Sequence, residues 1–212
     1  MRWYAQALAN AFGSTSSGNA PNIDYLTDDI RFALVTSSYS PSLATDDFWN
    51  DVVANEVSGT GYTAGGIAVA SRTLTITAAN SWANAWTAST VYTARYIVRP
   101  TTGNGNLYMA QAAGTSAASE PTWPTTLGDE VADSGVTWTN VGTSIGVFDF
   151  ADPSWPSSTI TARYGVLYNR TPATDATRPL IGLSDFGSNI ASTGGTFTVT
   201  INAQGALLLL IG

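Results

Sequence analysis

Thr196-Phe197-Thr198-Val199-Thr200-Ile201-Asn202 alternates apolar and polar side chains along its length. Successive side chains of a strand point to opposite faces, so Phe197, Val199 and Ile201 are expected on one face and the threonines on the other. The stretch therefore predicts a half-buried antiparallel strand. Similar runs of β-branched or aromatic residues, bounded by Gly, Ser, Asn and Pro, occur at residues 30–35, 66–70, 73–77, 146–150, 159–168 and 180–186. Leu207-Leu208-Leu209-Leu210-Ile211 does not alternate and suits a final strand covered on both faces. The chain reads as all-β, an antiparallel β-sandwich or jelly-roll-like body carrying a small inserted β domain.

Two short helices interrupt this pattern. One is expected over residues 2–12, stopped by Gly13. The other is expected over residues 46–54, with Thr45 as N-cap and Asp46 and Asp47 beside the positive helix end. The Ser/Gly stretch at residues 13–20 reads as a flexible connection that lets the N-terminal segment reach a neighbour. The middle of the chain differs in character, for Trp82, Trp86, Trp123 and Trp138 concentrate between residues 81 and 144, with Tyr92, Tyr96 and Tyr108. We read residues 81–144 as an inserted cassette and residues 1–80 with 145–212 as a discontinuous body. Lengthening a surface loop costs only about 0.6 kcal/mol per doubling, so such an insertion is tolerated. Thr-Ala-Arg-Tyr occurs at residues 93–96 and again at 161–164. Four shared residues are read as two strands of similar burial, not as a duplication.

The 212 residues contain no histidine, cysteine or lysine, and all eight cations are arginine. General bases poised near neutral pH, thiolates, Schiff-base amines and most transition-metal ligands come from those three side chains, so the composition argues against most enzymes. Fifteen acids against eight arginines give a net charge of -7, the wrong sign for a nucleic-acid partner. The first residues are not read as a secretion signal, and residues 206–212 are too short to cross a bilayer as a helix. No nucleic acid, membrane, metal or cofactor is expected.

Several patterns remain as candidate chemistry. Asp28-Asp29, Asp46-Asp47, Asp129-Glu130 with Asp133, and Asp149 with Asp152 are acid clusters. Paired carboxylates can cleave glycosidic bonds when held a defined distance apart, but we read these as helix-end, turn and solvent-facing acids. Residues 129–135 lack the ligand spacing and central glycine of an EF-hand calcium loop and read as a turn before a strand. Gly59-Thr60-Gly61-Tyr62 loosely matches a dinucleotide fingerprint but no crossover helix follows, which leaves a glycine-rich turn. Asn169-Arg170-Thr171 has the form of a glycosylation sequon. The aromatic residues of the cassette are the stronger candidates, since exposed Trp and Tyr faces stack on sugar C–H surfaces. A domain of about sixty residues also needs aromatics for its own core. Trp138 is assigned to that core, and Trp123, between Pro121 and Pro124, is equally suited to exposure.

The body resembles a family of tailed-bacteriophage virion structural proteins. The resemblance is carried by residues 28–39, containing Ile30-Arg31-Phe32-Ala33-Leu34-Val35, by residues 55–66, containing Gly59-Thr60-Gly61-Tyr62, and by residues 158–168 and 179–187. It implies a capsid decoration or cement protein on the outer surface of the head, with some relatives on the tail. It further implies binding to the major capsid protein, and trimers fit the local threefold positions of such shells. The cassette departs from the simplest family pattern. It is similar to small carbohydrate-binding-like modules, through Trp86-Thr87-Ala88-Ser89-Thr90-Val91-Tyr92, residues 112–116, Glu120-Pro121-Thr122-Trp123-Pro124 and Gly135-Val136-Thr137-Trp138. That resemblance implies host or environmental glycans as ligands, with Trp86, Tyr92, Tyr108 and Trp123 as the binding residues. A non-enzymatic decoration protein is thus the leading expectation. A glycan-binding adhesin and a carboxylate-based polysaccharide depolymerase are its rivals. Arg31, Arg95, Arg99 and Arg163, in or beside expected strands, are candidates for bidentate contacts at subunit joints, or else snorkel at strand edges.

Overall fold

The computed structural model describes residues 1–12 and 23–212. The chain is all-β, built from antiparallel sheets, and among the described residues α1 (Ala5–Phe12) is the one α-helix. It divides into two compact units, Met1–Thr73 with Asp149–Asn202, and Leu74–Phe148 with Ala203–Gly212.

The first unit holds a five-stranded sheet. Its strands are β1 (Arg2–Trp3), β2 (Ile30–Val35), β3 (Ile67–Ala68), β12 (Ser154–Asn169) and β13 (Leu180–Thr198), in the order β1-β13-β12-β2-β3. The expected strands at residues 180–186 and 196–202 are mostly one strand, β13, which pairs along nearly its whole length with β12. Phe197 and Val199 are buried while Thr196, Thr198 and Thr200 are exposed, so the alternation assigned their faces correctly. Every apolar residue of β2 is buried, because the sheet is covered on both faces at this point. On one face Ala33 and Val35 pack with Val166, Tyr168, Leu183 and Trp49, and the Trp49 and Tyr168 rings stack 4.2 Å apart at 9°. On the other, Phe32 meets Phe150 and Trp155. Gly165 makes room for Phe32, since a Cβ there would lie 2.1 Å from its ring.

Both expected helices are corrected. Arg2 and Trp3 are not helical but pair with Leu183 and Gly182 at the sheet edge, so the helix starts only at Ala5. Residues 46–54 form two 3₁₀ turns, Trp49–Asp51 and Val53–Asn55, and no α-helix. The backbone there is diverted into pairing with residues 178–180: the Trp49 amide donates to the Arg178 carbonyl and the Leu180 amide to that of Asp47. Thr45 caps nothing, its hydroxyl donating to Ser42 Oγ. Asp46 instead accepts from the Tyr39 hydroxyl and the Ser42 amide. The flexible connection read at residues 13–20 lies outside the described residues.

The second unit contains three small sheets. The first is β14-β11-β4, from β4 (Thr73–Ala78), β11 (Ser144–Asp149) and β14 (Leu207–Ile211). The second is β6-β7-β10-β9, from β6 (Ile97–Val98), β7 (Leu107–Ala110), β9 (Glu130–Asp133) and β10 (Val136–Gly142). The third pairs β5 (Val91–Tyr92) with β8 (Gly114–Thr115). The unit is therefore larger than the expected cassette. Residues 74–80, 145–148 and the C-terminal strand belong to it, because β11 pairs with β14 and shares a sheet with β4. β14 is buried at Leu207 but exposed at Leu210 and Ile211, so it is not covered on both faces. The two Thr-Ala-Arg-Tyr segments differ in structure. The first is a turn with Arg95 at φ 67° and the second lies inside β12, so they are not two similar strands.

Candidate functional site

Three of the four aromatic residues expected to bind glycan form the core of the second unit. Trp86, Tyr92 and Tyr108 are buried, clustered with Val98, Ala110, Val136 and Trp138. Tyr92 meets Trp138 edge-on at 4.9 Å, and Tyr108 lies 4.3 Å from Trp123. Burial keeps these three rings from presenting a face to solvent. It also raises the hydroxyl pKa values of Tyr92 and Tyr108.

Two indole N–H groups of this core converge on Asp133, itself buried at the end of β9. Its Oδ2 accepts the indole N–H groups of Trp86 (2.7 Å) and Trp138 (2.8 Å), and its Oδ1 accepts the Ala117 amide (2.8 Å). The carboxylate is thus satisfied by three neutral donors, which is what a buried charge without a cation requires. Residues 130–142 form a hairpin turning at Ser134 and Gly135, and among the described residues no group of three metal-ligating side chains converges.

Trp123 alone of the four remains half-exposed, and it lines a cleft of about 390 Å3 with Pro100, Thr102, Asn104, Glu120 and Pro121. Prolines on both sides fix the backbone that carries the ring. Glu120, three residues before it, accepts the indole N–H at 2.8 Å and also takes the Thr101 amide (2.8 Å) and hydroxyl. Partial burial pushes the Glu120 carboxyl up, but these bonds outweigh it and hold the pKa below the ordinary value. Glu120, Asn104 and the prolines were not singled out from sequence as site residues. The signal was the Glu-Pro-Thr-Trp-Pro run, in which an acid sits within reach of the indole.

A second cleft, of about 360 Å3, lies in the first unit among Thr36, Glu56, Ser58, Thr159, Thr161 and Ser192. Glu56 Oε1 accepts the Tyr62 hydroxyl (2.7 Å) and the Gly65 amide (2.6 Å), and burial raises its pKa despite them. The Gly59-Thr60-Gly61-Tyr62 segment is a turn laid on β12, where the Thr159 amide donates to the Thr60 carbonyl. A Cβ on Gly59 would come 2.4 Å from the Thr159 carbonyl oxygen, so close backbone approach explains this glycine. The sequon asparagine, Asn169, is buried. Its amide donates to Asp28 Oδ2 and its Oδ1 accepts the Thr171 amide, so in the folded chain the side chain is enclosed and engaged at both ends.

The arginines expected at subunit joints are largely engaged within the chain. Arg31 bonds Asp29 and the Gly66 carbonyl, and Arg99 bonds the carbonyls of Trp82, Pro100 and Thr101. Arg163 pairs with Asp185 and lies 4.8 Å from the Tyr164 ring centre. Arg95 is exposed on its turn. No family, curated protein or solved structure matches the chain. Among the described residues no helix is long and apolar enough to cross a membrane.

Proposed function

We propose that this chain is a non-enzymatic virion structural protein of the capsid decoration type, which binds the outer surface of a phage head and stabilises contacts between capsomers. The observation that carries the reading is the outer edge of β13. β1 covers it only at Gly182 and Leu183, and among the described residues no strand pairs with it from residue 184 to 198. Such an edge offers a ladder of backbone donors and acceptors to a strand of the major capsid protein. The sequence resemblance of the body supports the same reading, as does a composition without His, Cys or Lys. The protein acts as a homotrimer at local threefold positions. A cryo-EM reconstruction of the particle is expected to place it over capsomer joints on the head. Density confined to the tail overturns the capsid assignment, and a monomer by light scattering at working concentration overturns the trimer.

The Trp123 cleft favours a second reading, in which the protein is an adhesin, on the tail or head, that binds a host or environmental glycan. A half-exposed indole beside Asn104, Thr102 and Glu120 combines an apolar platform with hydrogen-bonding groups. On a glycan array Trp123→Ala is expected to lose binding. Absence of binding by the unmodified protein leaves the second unit a spacer.

A further inference from the structure

Asn104-Gly105 is the one Asn-Gly pair in the chain. At such a pair the backbone nitrogen after the asparagine can reach the side-chain carbonyl carbon with little hindrance, because the following residue has no Cβ. Gly105 has φ +83°, and nothing lies within 4 Å of the place its Cβ would occupy. Asn104 is exposed, and its Oδ1 accepts the Asn106 amide at 3.0 Å, folding the side chain back over the Gly105 peptide.

Two further bonds restrain the pair. The Gly105 N–H, which carries the attacking nitrogen, donates to Asn80 Oδ1 at 3.0 Å. Gly103 yields space to that same oxygen, since a Cβ there would lie 2.4 Å from it. The two glycines thus wrap the Asn80 amide. At the other end, Asn104 Nδ2 donates to the Tyr108 hydroxyl (2.7 Å), which donates to the Pro124 carbonyl (2.7 Å).

We propose that Asn104 is a self-modification site, deamidating through a succinimide, and that the Asn80 and Tyr108 contacts set its rate by holding the pair in an unreactive conformation. The Gly105 nitrogen gives up its proton and bonds to Asn104 Cγ, while Nδ2 leaves with a proton as ammonia. Water then adds to either imide carbonyl, giving aspartate or isoaspartate with no oxidant or reductant. The product places a carboxylate in the Trp123 cleft, which Glu120 already makes acidic. It also removes the donor to Tyr108, and isoaspartate lengthens the backbone of the loop. The reaction therefore acts as a slow switch on the cleft.

The test is peptide mapping by mass spectrometry after incubating the full chain at mildly alkaline pH, folded and in urea. Conversion at Asn104 is expected in urea and to be slower in the folded protein. Folded Asn80→Ala is expected to convert about fivefold faster than folded wild type, the factor one net hydrogen bond is worth. Asn80→Asp, which keeps an oxygen for the Gly105 N–H, is expected to stay near the wild-type rate, and Asn104→Gln to convert hardly at all. Equal folded rates for wild type and Asn80→Ala, an Asn80→Asp rate as fast as that of Asn80→Ala, or no conversion in urea would each overturn the proposal.

Discussion

Asp133 joins two tryptophans and a loop amide through a single carboxylate. Replacing it with alanine leaves two buried indole N–H groups without an acceptor, each costing about 1–3 kcal/mol, while the part-buried Ala117 amide can turn to solvent. Asp133→Ala is thus expected to lose at least about 2 kcal/mol of stability in urea titrations followed by tryptophan fluorescence, while Asp133→Asn, keeping one oxygen, loses less. The two glutamates of the clefts give opposite pH signatures. Glu120 has a folded pKa below its unfolded value, so its contribution is present above the unfolded value and disappears as pH falls through the folded one. Glu56 is raised by burial, so its contribution is full below the ordinary value of 4.5 and is lost as pH rises through the raised one. Glu120→Gln is expected to lower the urea midpoint at about pH 7 and to have little effect in acid, whereas Glu56→Gln raises the midpoint at about pH 7 and gains little at about pH 4. A midpoint shift of the same sign for both variants would contradict this assignment. The sequence displayed the aromatic residues but not their environment. Trp86 and Trp123 look alike in the chain, and only tertiary packing encloses Trp86 against Asp133 while leaving Trp123 half-exposed beside Glu120.

The strands were legible where one face is buried. The Phe197 and Val199 alternation gave the right faces, and Ile30–Val35 has the expected bounds, since β-branched and aromatic runs between turn residues carry their own signal. What could not be read was pairing. The helix expected at residues 46–54 has a reasonable apolar period, yet Phe48 bridges Pro179 and Trp49 stacks on Tyr168, so contacts more than a hundred residues away override local propensity. The same holds for β14, whose leucines say that it is a strand but not that β11 is its partner. Truncation after Gln204 is expected to strip β11 of that neighbour and to expose Ile145 and Val147 of the adjoining core. Hydrogen exchange should then rise in β11 and β10 while β2 and β12 keep wild-type protection. At the glycine preceding β3 the constraint is steric. Gly66 sits at φ +66° with the Phe32 carbonyl 2.2 Å from where a Cβ would be, so Gly66→Ala cannot be accommodated without moving the backbone. Its cost should exceed the roughly 1 kcal/mol typical of a point mutation, read as a lowered melting temperature.

For the molecule as a whole, the edge of β13 that no strand covers among the described residues bears on how chains meet one another. A long unpaired edge is ordinarily a template for aggregation, and natural sheets interrupt such edges with bulges and charge. β13 carries both. Its register with β12 shifts between Ala162 and Tyr164 and again near Ser158, and Asp185 on the edge strand pairs with Arg163. Between these interruptions Ile190 stands exposed in the strand, opposite Ala162. A partner strand that adds to this edge would cover Ile190, whereas a lysine there would place a charge in the new ladder without disturbing the buried residues beneath. Ile190→Lys is therefore expected to fold with a melting temperature near that of the wild type, because surface substitutions away from caps, cores and networks stay within about 0.5 kcal/mol. The same variant should lose occupancy on phage heads that have been stripped of the protein and re-incubated with it, scored by gel densitometry and by cryo-EM. Arg95→Ala, on an exposed turn of the other unit, serves as the control and should rebind normally. If Ile190→Lys decorates the head as fully as the wild type, the β13 edge is not the contact surface.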